Sequence, residues 1–227
     1  MNRFYKLLWF ELIFLILNAN ITKSQILNFF EDFEYNLIED LIKAGWVITD
    51  TSYIEVINGT IILKNDCEKT SWPRFYFNNS VISNSWYVKS RGKWISGPYG
   101  SLHVILVTKD KEYSWWGDGY SKKFILSLGN HSIEEFGYNI SRDEWHEFKL
   151  IKFGKNLYAF FDSKLILKVE DIPSEEIQGV GINSAWCSNT QYDFIEFLTT
   201  QNILFSPSNK TYFSFSNYTQ IPLDVVA

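Results

Sequence analysis

The chain has 227 residues, a formal net charge of −5 and an aromatic share of 18%, with nine Trp, thirteen Tyr and nineteen Phe. That length suits one of the larger all-β domains with extensions, and so many rings favour strands, on which flat side chains pack well. A negative balance with no cluster of Lys and Arg excludes nucleic acid as the natural partner.

The N-terminus reads as an export leader. Arg3 and Lys6 give a positive start, and Leu7–Leu17 is an apolar run broken by Glu11. The run is shorter than the ~20 apolar residues of a membrane span. Thr22-Lys23-Ser24 fits the small-residue cleavage pattern, so residues 1–24 are assigned to a signal peptide. Glu11 leaves an uncleaved N-terminal anchor open as the alternative, and no span is expected in the mature chain. Sequons agree with export: Asn58, Asn78, Asn130, Asn139, Asn209 and Asn217 each head an N-x-S/T triplet. Cys67 and Cys187 are the whole thiol complement. In an oxidising compartment they are expected to pair, closing a long loop worth ~4 kcal/mol; two isolated buried thiols are the alternative. The expected location is secreted or at the extracellular cell surface.

Next in the chain, Ile26–Glu34 is a short aromatic strand. Asn36–Ala44 has helical spacing, with Leu37, Leu41 and Ala44 on one face, and Gly45 stops it. Trp46–Asp50, Tyr53–Asn58 and Thr60–Lys64 are strands, the last two parted by Gly59. Trp72–Phe77 contains Pro73 near its start, which suits an edge, and Trp86–Ser90 is the next strand. Arg91–Gly100, with its Gly and Pro, reads as a loop. Leu102–Thr108, Glu112–Gly117 and Lys123–Leu128 are strands.

His146–Phe153, Leu157–Phe161 and Lys164–Val169 are separated by the turn residues Gly154-Lys155-Asn156 and Asp162-Ser163, the pattern of hairpins. Phe148 and Leu150 share one face of their strand, as do Leu165, Leu167 and Val169 of theirs, so one side is core and the other faces water. With Gln178–Asn183 and Tyr192–Leu198, the whole stretch Glu144–Phe197 reads as an antiparallel meander. Strands spaced ~8–12 residues apart with hardly a helix point to an all-β sandwich over residues 26–200. The polar and aromatic stretch 201–227, with Pro207 and Pro222, reads as a flexible tail.

Several of these segments resemble the concanavalin A-like lectin/glucanase superfamily in its laminin-G-like or bacterial glucanase-like forms. They are Glu144-Trp145-His146 before a strand, Gly154-Lys155-Asn156-Leu157-Tyr158, Phe161-Asp162-Ser163-Lys164-Leu165, Gly179-Val180-Gly181-Ile182, and Tyr192-Asp193-Phe194-Ile195-Glu196-Phe197. The resemblance covers about Phe29 to Phe197. It implies a two-sheet antiparallel jelly roll and no particular activity, since this fold hosts enzymes and binders alike. Calcium enters only through the resemblance, with Asp118 and Asp66 as its candidates; no metal site is expected from spacing.

Laminarinase-type relatives carry E-x-D-x-(x)-E on one strand, which points two catalytic carboxylates into a cleft. The nearest approach here is Gln191-Tyr192-Asp193-Phe194-Ile195-Glu196, with Gln191 where the nucleophile should stand; an amide cannot ionise or attack, so framework is expected. His103, His131 and His146 are too scattered for a zinc cluster, and His103 reads as a face residue of its strand. Ligand-binding candidates are Trp86, Arg91, Trp94, Tyr99, Trp115, Trp116 and Asp118, because rings stack on pyranose faces and the polar groups beside them supply hydrogen bonds. Of the neighbours Trp115 and Trp116, one should be core and one exposed. The expected function is a non-catalytic carbohydrate-binding or adhesion module with glycans or cell-surface proteins as partners. The alternatives are a glucanase-like hydrolase with an atypical active site and a structural protein-binding domain.

Overall fold

The computed structural model of the chain describes residues 28–65, 67, 71–184 and 187–199, and the backbone alone of 204–205, 211–215 and 219–223. The leader 1–24, Asp66 and the sequons at Asn209 and Asn217 lie outside the described residues. In chain order come β1 (Asn28–Glu31), α1 (Ile38–Lys43), β2 (Trp46–Val47), β3 (Ile54–Ile57) and β4 (Thr60–Lys64). Two long strands follow, β5 (Arg74–Ser83) and β6 (Ser85–Ser96), then β7 (Leu102–Thr108), β8 (Glu112–Asp118), β9 (Lys123–Leu128) and β10 (His131–Phe136). The last five strands of the sandwich are β11 (Trp145–Phe153), β12 (Asn156–Phe161), β13 (Lys164–Val169), β14 (Glu175–Ser184) and β15 (Asn189–Thr199).

These strands form an antiparallel sandwich of jelly-roll type. An eight-stranded sheet runs β13-β12-β11-β6-β15-β4-β3, with β1 also paired to β15; a seven-stranded sheet runs β10-β9-β8-β7-β14-β5-β2. Beyond them, Leu204–Phe205, Thr211–Phe215 and Thr219–Leu223 make a separate three-stranded sheet. The core lies between the two large sheets. Leu102, Val104, Leu106, Tyr113, Trp115, Val180 and Ile182 meet Trp86, Val88, Phe148, Leu150, Tyr192, Ile195 and Phe197, alternate residues of each strand turning inward. The register of β15 against β6 shifts between Tyr192 and Phe194, which carries the inward phase from Tyr192 to Ile195. Trp115 spans the layers, donating from Nε1 to the carbonyl of Phe160 at 2.7 Å.

Four features differ from the sequence reading. The meander over Glu144–Phe197 holds only through β13. Strand β14 belongs to the other sheet, between β7 and β5, and β15 returns to the centre of the first. Apolar alternation says which face of a strand is buried but not which sheet the strand joins. Second, Arg91–Ser96 is the far half of β6 rather than a loop. Gly92 is there because a Cβ would stand 2.9 Å from the Tyr192 ring, a close approach within a sheet. Third, β11 does not leave its outer side to water. Ile151, with Tyr87 and Phe160, forms a second apolar cluster on the outer face of the eight-stranded sheet, and Phe153, Tyr158, Leu165 and Leu198 pack on it. Fourth, α1 buries Leu41, but Leu37 stands outside the helix with extended backbone and Ala44 is exposed; Gly45, at φ +108°, ends the element as expected.

Candidate functional site

The outer face of the seven-stranded sheet carries the residues that alternate with its core. These are Arg74 and Tyr76 from β5, Gly181 and Asn183 from β14, His103 and Ile105 from β7, and Glu112, Ser114 and Trp116 from β8. Residues 103 and 183 are register partners, as are 103 and 116, so three side chains far apart in sequence become lateral neighbours. They line a hollow of about 420 Å³, joined by Trp72, Asp110 and Asn130 at its rim.

A half-buried ion pair, of which Glu112 lines the hollow, makes the floor. Arg74 reaches across the sheet to grip Glu112 in bidentate fashion, Nε to Oε1 at 2.9 Å and Nη2 to Oε2 at 3.1 Å. Its Nη1 also donates to the carbonyls of Pro73 and Ile182 at 3.1 and 3.3 Å. A Cβ at position 181 would lie 2.5 Å from Arg74 Cδ, so Gly181 lets the arginine lie flat. The Arg74 guanidinium carbon stands 5.4 Å from the centre of the Trp72 ring, a cation–π contact.

The opposite wall is Trp116, stacked on His103 at 5.1 Å with only 5° between the ring planes. His103 Nε2 lies 2.9 Å from Ser101 Oγ, and its backbone N–H donates to the Tyr192 hydroxyl at 2.8 Å. That hydroxyl donates in turn to the carbonyl of Asn183. Burial, reinforced by the charge of Arg74, lowers the His103 pKa to about 3, so the imidazole is neutral across the physiological range. The sign of the linkage follows: below pH 6.5 the unfolded chain takes up a proton at this residue and the folded one does not, so stability falls with falling pH. By pH 5 this residue alone is expected to cost about 2 kcal/mol. Urea melts of wild type and His103→Gln at pH 7 and 5 check it, the variant losing that share of the acid sensitivity.

Asn183 is 5% exposed, and its Oδ1 is buried with no hydrogen-bond partner. An unpaired buried acceptor is costly unless something fills it. The hollow is lined by two indoles, a neutral imidazole, the hydroxyls of Ser114 and Ser127 and the Asn183 amide, with Asp110 and Lys111 as its charged residues beside the paired Glu112. This is chemistry for a neutral, hydroxyl-rich ligand with a flat apolar side. On the outer side of β7 stand His103 and Ile105, and of the nearby carboxylates Glu112 is held by Arg74. Among the described residues no group of three His, Cys, Asp or Glu is arranged to hold a metal ion.

Of the ligand-binding candidates named from the sequence, only Trp116 lines this hollow, although His103 and the sequon residue Asn130 do so as well. Trp86 and Trp115 are fully buried between the sheets and offer no ring to a ligand; the expected split of Trp115 and Trp116 into core and surface is what the strand alternation produces. Arg91 is on the outer face of the eight-stranded sheet, paired with Asp193 at 3.0 Å and lying over the Trp145 ring. Trp94 rests against Gly100, under the Arg142 guanidinium, and donates from Nε1 to the carbonyl of Ser96 at 2.9 Å. Tyr99 meets Tyr120 edge-on at 5.2 Å, while Asp118 caps its own turn through Tyr120 N and Ser121. These residues do not join the hollow. Gln191 donates to Thr60 Oγ1 at 2.6 Å and Glu196 pairs with Lys89 at 3.5 Å. Trp72, Asn183 and Glu112 were not foreseen as site residues; strand alternation marks Asn183 and Glu112 as outward-facing, Trp72 precedes β5, and their assembly depends on which strands are neighbours. Cys67 and Cys187 are bonded as a disulfide.

No sequence-family model matches the chain, and no curated protein matches it by sequence. The fold is nevertheless shared with solved structures. A Bacillus licheniformis β-glucanase superposes with a TM-score of 0.54 at 12% identity, over 77% of this chain and 98% of that one. A prokaryotic β-1,3-1,4-glucanase (lichenase) from a mouse hindgut metagenome gives 0.51 at 14% identity, over 75% and 98%. LamAcat from Zobellia galactanivorans gives 0.51 at 11% identity, over 75% and 96%. The chain thus shares with these proteins the two-sheet antiparallel jelly-roll fold.

Proposed function

We propose that this chain is an exported, non-catalytic carbohydrate-binding module and that the hollow on the seven-stranded sheet is its sugar site. One observation carries the reading: Trp72 and Trp116 flank a hollow whose lining also holds the Asn183 amide and the hydroxyls of Ser114 and Ser127. A pyranose has an apolar face for an indole and hydroxyls that hydrogen-bond to polar side chains of this kind. A neutral His103 adds hydrogen-bonding capacity without charge, in keeping with an uncharged ligand. Export is supported by the disulfide and by the surface position of Asn58, Asn78, Asn130 and Asn139, all exposed as glycan acceptors need to be. The non-catalytic half of the reading is supported by the engagement of Glu112 with Arg74, which leaves no free pair of facing carboxylates within the hollow.

Trp116→Ala and Trp72→Ala should each weaken glycan binding by about tenfold or more, since loss of a stacked ring costs on the order of 1–3 kcal/mol in comparable ring-stacked complexes. A glycan array finds the ligand, and calorimetry on the two variants measures the loss. Unchanged affinity in both variants would remove the hollow as the site. Reducing ends released from β-glucan by the wild-type chain would overturn the non-catalytic assignment.

A further inference from the structure

We propose that an N-linked glycan on Asn130 covers the hollow, so that the chain carries a sugar of its own at its binding face. The inference rests on the reading that the hollow accepts sugar. Asn130 heads the sequon Asn130-His131-Ser132 and is at the same time a lining residue of the hollow; among the described sequon asparagines it is the only one that is. Its place is set by the tight turn between β9 and β10, where Leu128 and His131 are register partners. Gly129 supplies the left-handed backbone that the turn needs, at φ +72°. The Gly129 N–H donates to the carbonyl of Glu112 at 2.9 Å, and Ser127 Oγ donates to the Gly129 carbonyl at 3.0 Å. These bonds tie the turn to the start of β8, the strand that carries Glu112, Ser114 and Trp116 into the hollow. The Asn130 side chain is exposed, so its amide is open to the transferase and the attached sugar starts at the rim.

A group tethered by a short flexible linkage is present at an effective concentration on the order of millimolar. A free sugar of comparable strength must displace it. Its apparent affinity falls about twofold when the tethered sugar also has a dissociation constant on the order of millimolar, and further when the tethered contact is tighter. The bulk of the outer glycan works in the same direction.

The test uses the full chain secreted from eukaryotic cells, as wild type and as Ser132→Ala. Ser132 is exposed on β10 and does not line the hollow, so this variant abolishes the sequon while leaving Asn130 and the other lining residues in place. Glycopeptide mass reads occupancy. The indole N–H resonance of Trp116, assigned by its loss in Trp116→Phe, reads the hollow with no ligand added. Titration with free N,N′-diacetylchitobiose reads competition. The expected result is an occupied Asn130, a moved Trp116 resonance in Ser132→Ala, and chitobiose binding at least about twofold tighter in the variant. An unmodified Asn130, coincident Trp116 resonances, or equal chitobiose affinities in two forms that both bind it would each overturn the proposal. If chitobiose binds neither form while the resonance still moves, the covering glycan stands and what fails is the assignment of the hollow to free sugar.

Discussion

Replacing Cys67 and Cys187 together by serine is expected to lower the unfolding free energy by between about 4 and 5 kcal/mol, a large share of the stability of an ordinary domain. The bridge joins residues 120 apart in sequence, and in the chain-entropy account a loop of that size removes much freedom from the unfolded chain. The native side is well prepared for it. Asn65 Nδ2 donates to the carbonyl of Ser184 at 2.9 Å, and Ser71 N donates to Asn65 Oδ1 at 3.2 Å, so both ends of the bridge sit in a hydrogen-bonded corner. Gly97, at φ +97°, comes so close to Cys187 that a Cβ would overlap its carbonyl oxygen. Trp72 follows Ser71 directly, so the same staple holds one wall of the hollow. Denaturant melts with and without reductant check the expectation. The wild-type midpoint should drop on reduction and that of the double variant should not move.

The second large effect belongs to the floor of the hollow, and it is asymmetric. Glu112→Ala is expected to cost about 3 kcal/mol, because the Arg74 side chain, only 7% exposed, would keep its charge with two carbonyls in place of a carboxylate. Arg74→Met should cost about 1 kcal/mol, since the Glu112 side chain is 37% exposed and can turn to water while the methionine keeps much of the packing over Gly181. The double variant Arg74→Met/Glu112→Leu should recover most of the loss, since it leaves no buried guanidinium without its carboxylate. Urea melts of the three variants give the order directly. A Glu112→Ala variant as stable as wild type would show that water already screens the pair.

The limits of β4, β7, β9 and β13 can be read from the amino acids, because each has apolar or alternating residues bounded by turn formers. Strand β10 has no such signal. His131-Ser132-Ile133-Glu134-Glu135-Phe136 is almost wholly exposed at a sheet edge, held by its hydrogen bonds to β9 rather than by burial. Gly92 misleads in the opposite sense, since a glycine chosen for contact with the Tyr192 ring looks like a loop residue when Tyr192 is out of view. The same blindness to partners governs the site. Alternation splits Trp115 and Trp116 between core and surface without saying which is which, and the fully buried Trp86 shares its face with Val88, a pattern that marks it as core rather than as a ligand ring. His103, Trp116 and Asn183 meet only because β14 leaves its hairpin neighbours and inserts beside β7.

The place of β15 also governs the order in which the domain can be completed. This last strand of the sandwich is hydrogen-bonded to β6 along its length, to β4 at its start and to β1 at its end. During synthesis β1 emerges first and must wait, its edge unpaired, until Ile195–Leu198 has followed. The eight-stranded sheet stays divided into two halves for the same interval. Pairings so distant in sequence make for slow folding and long exposure of open strand edges. A nascent chain halted short of Asn189 would hold most of the strands of the domain and lack the one that joins them.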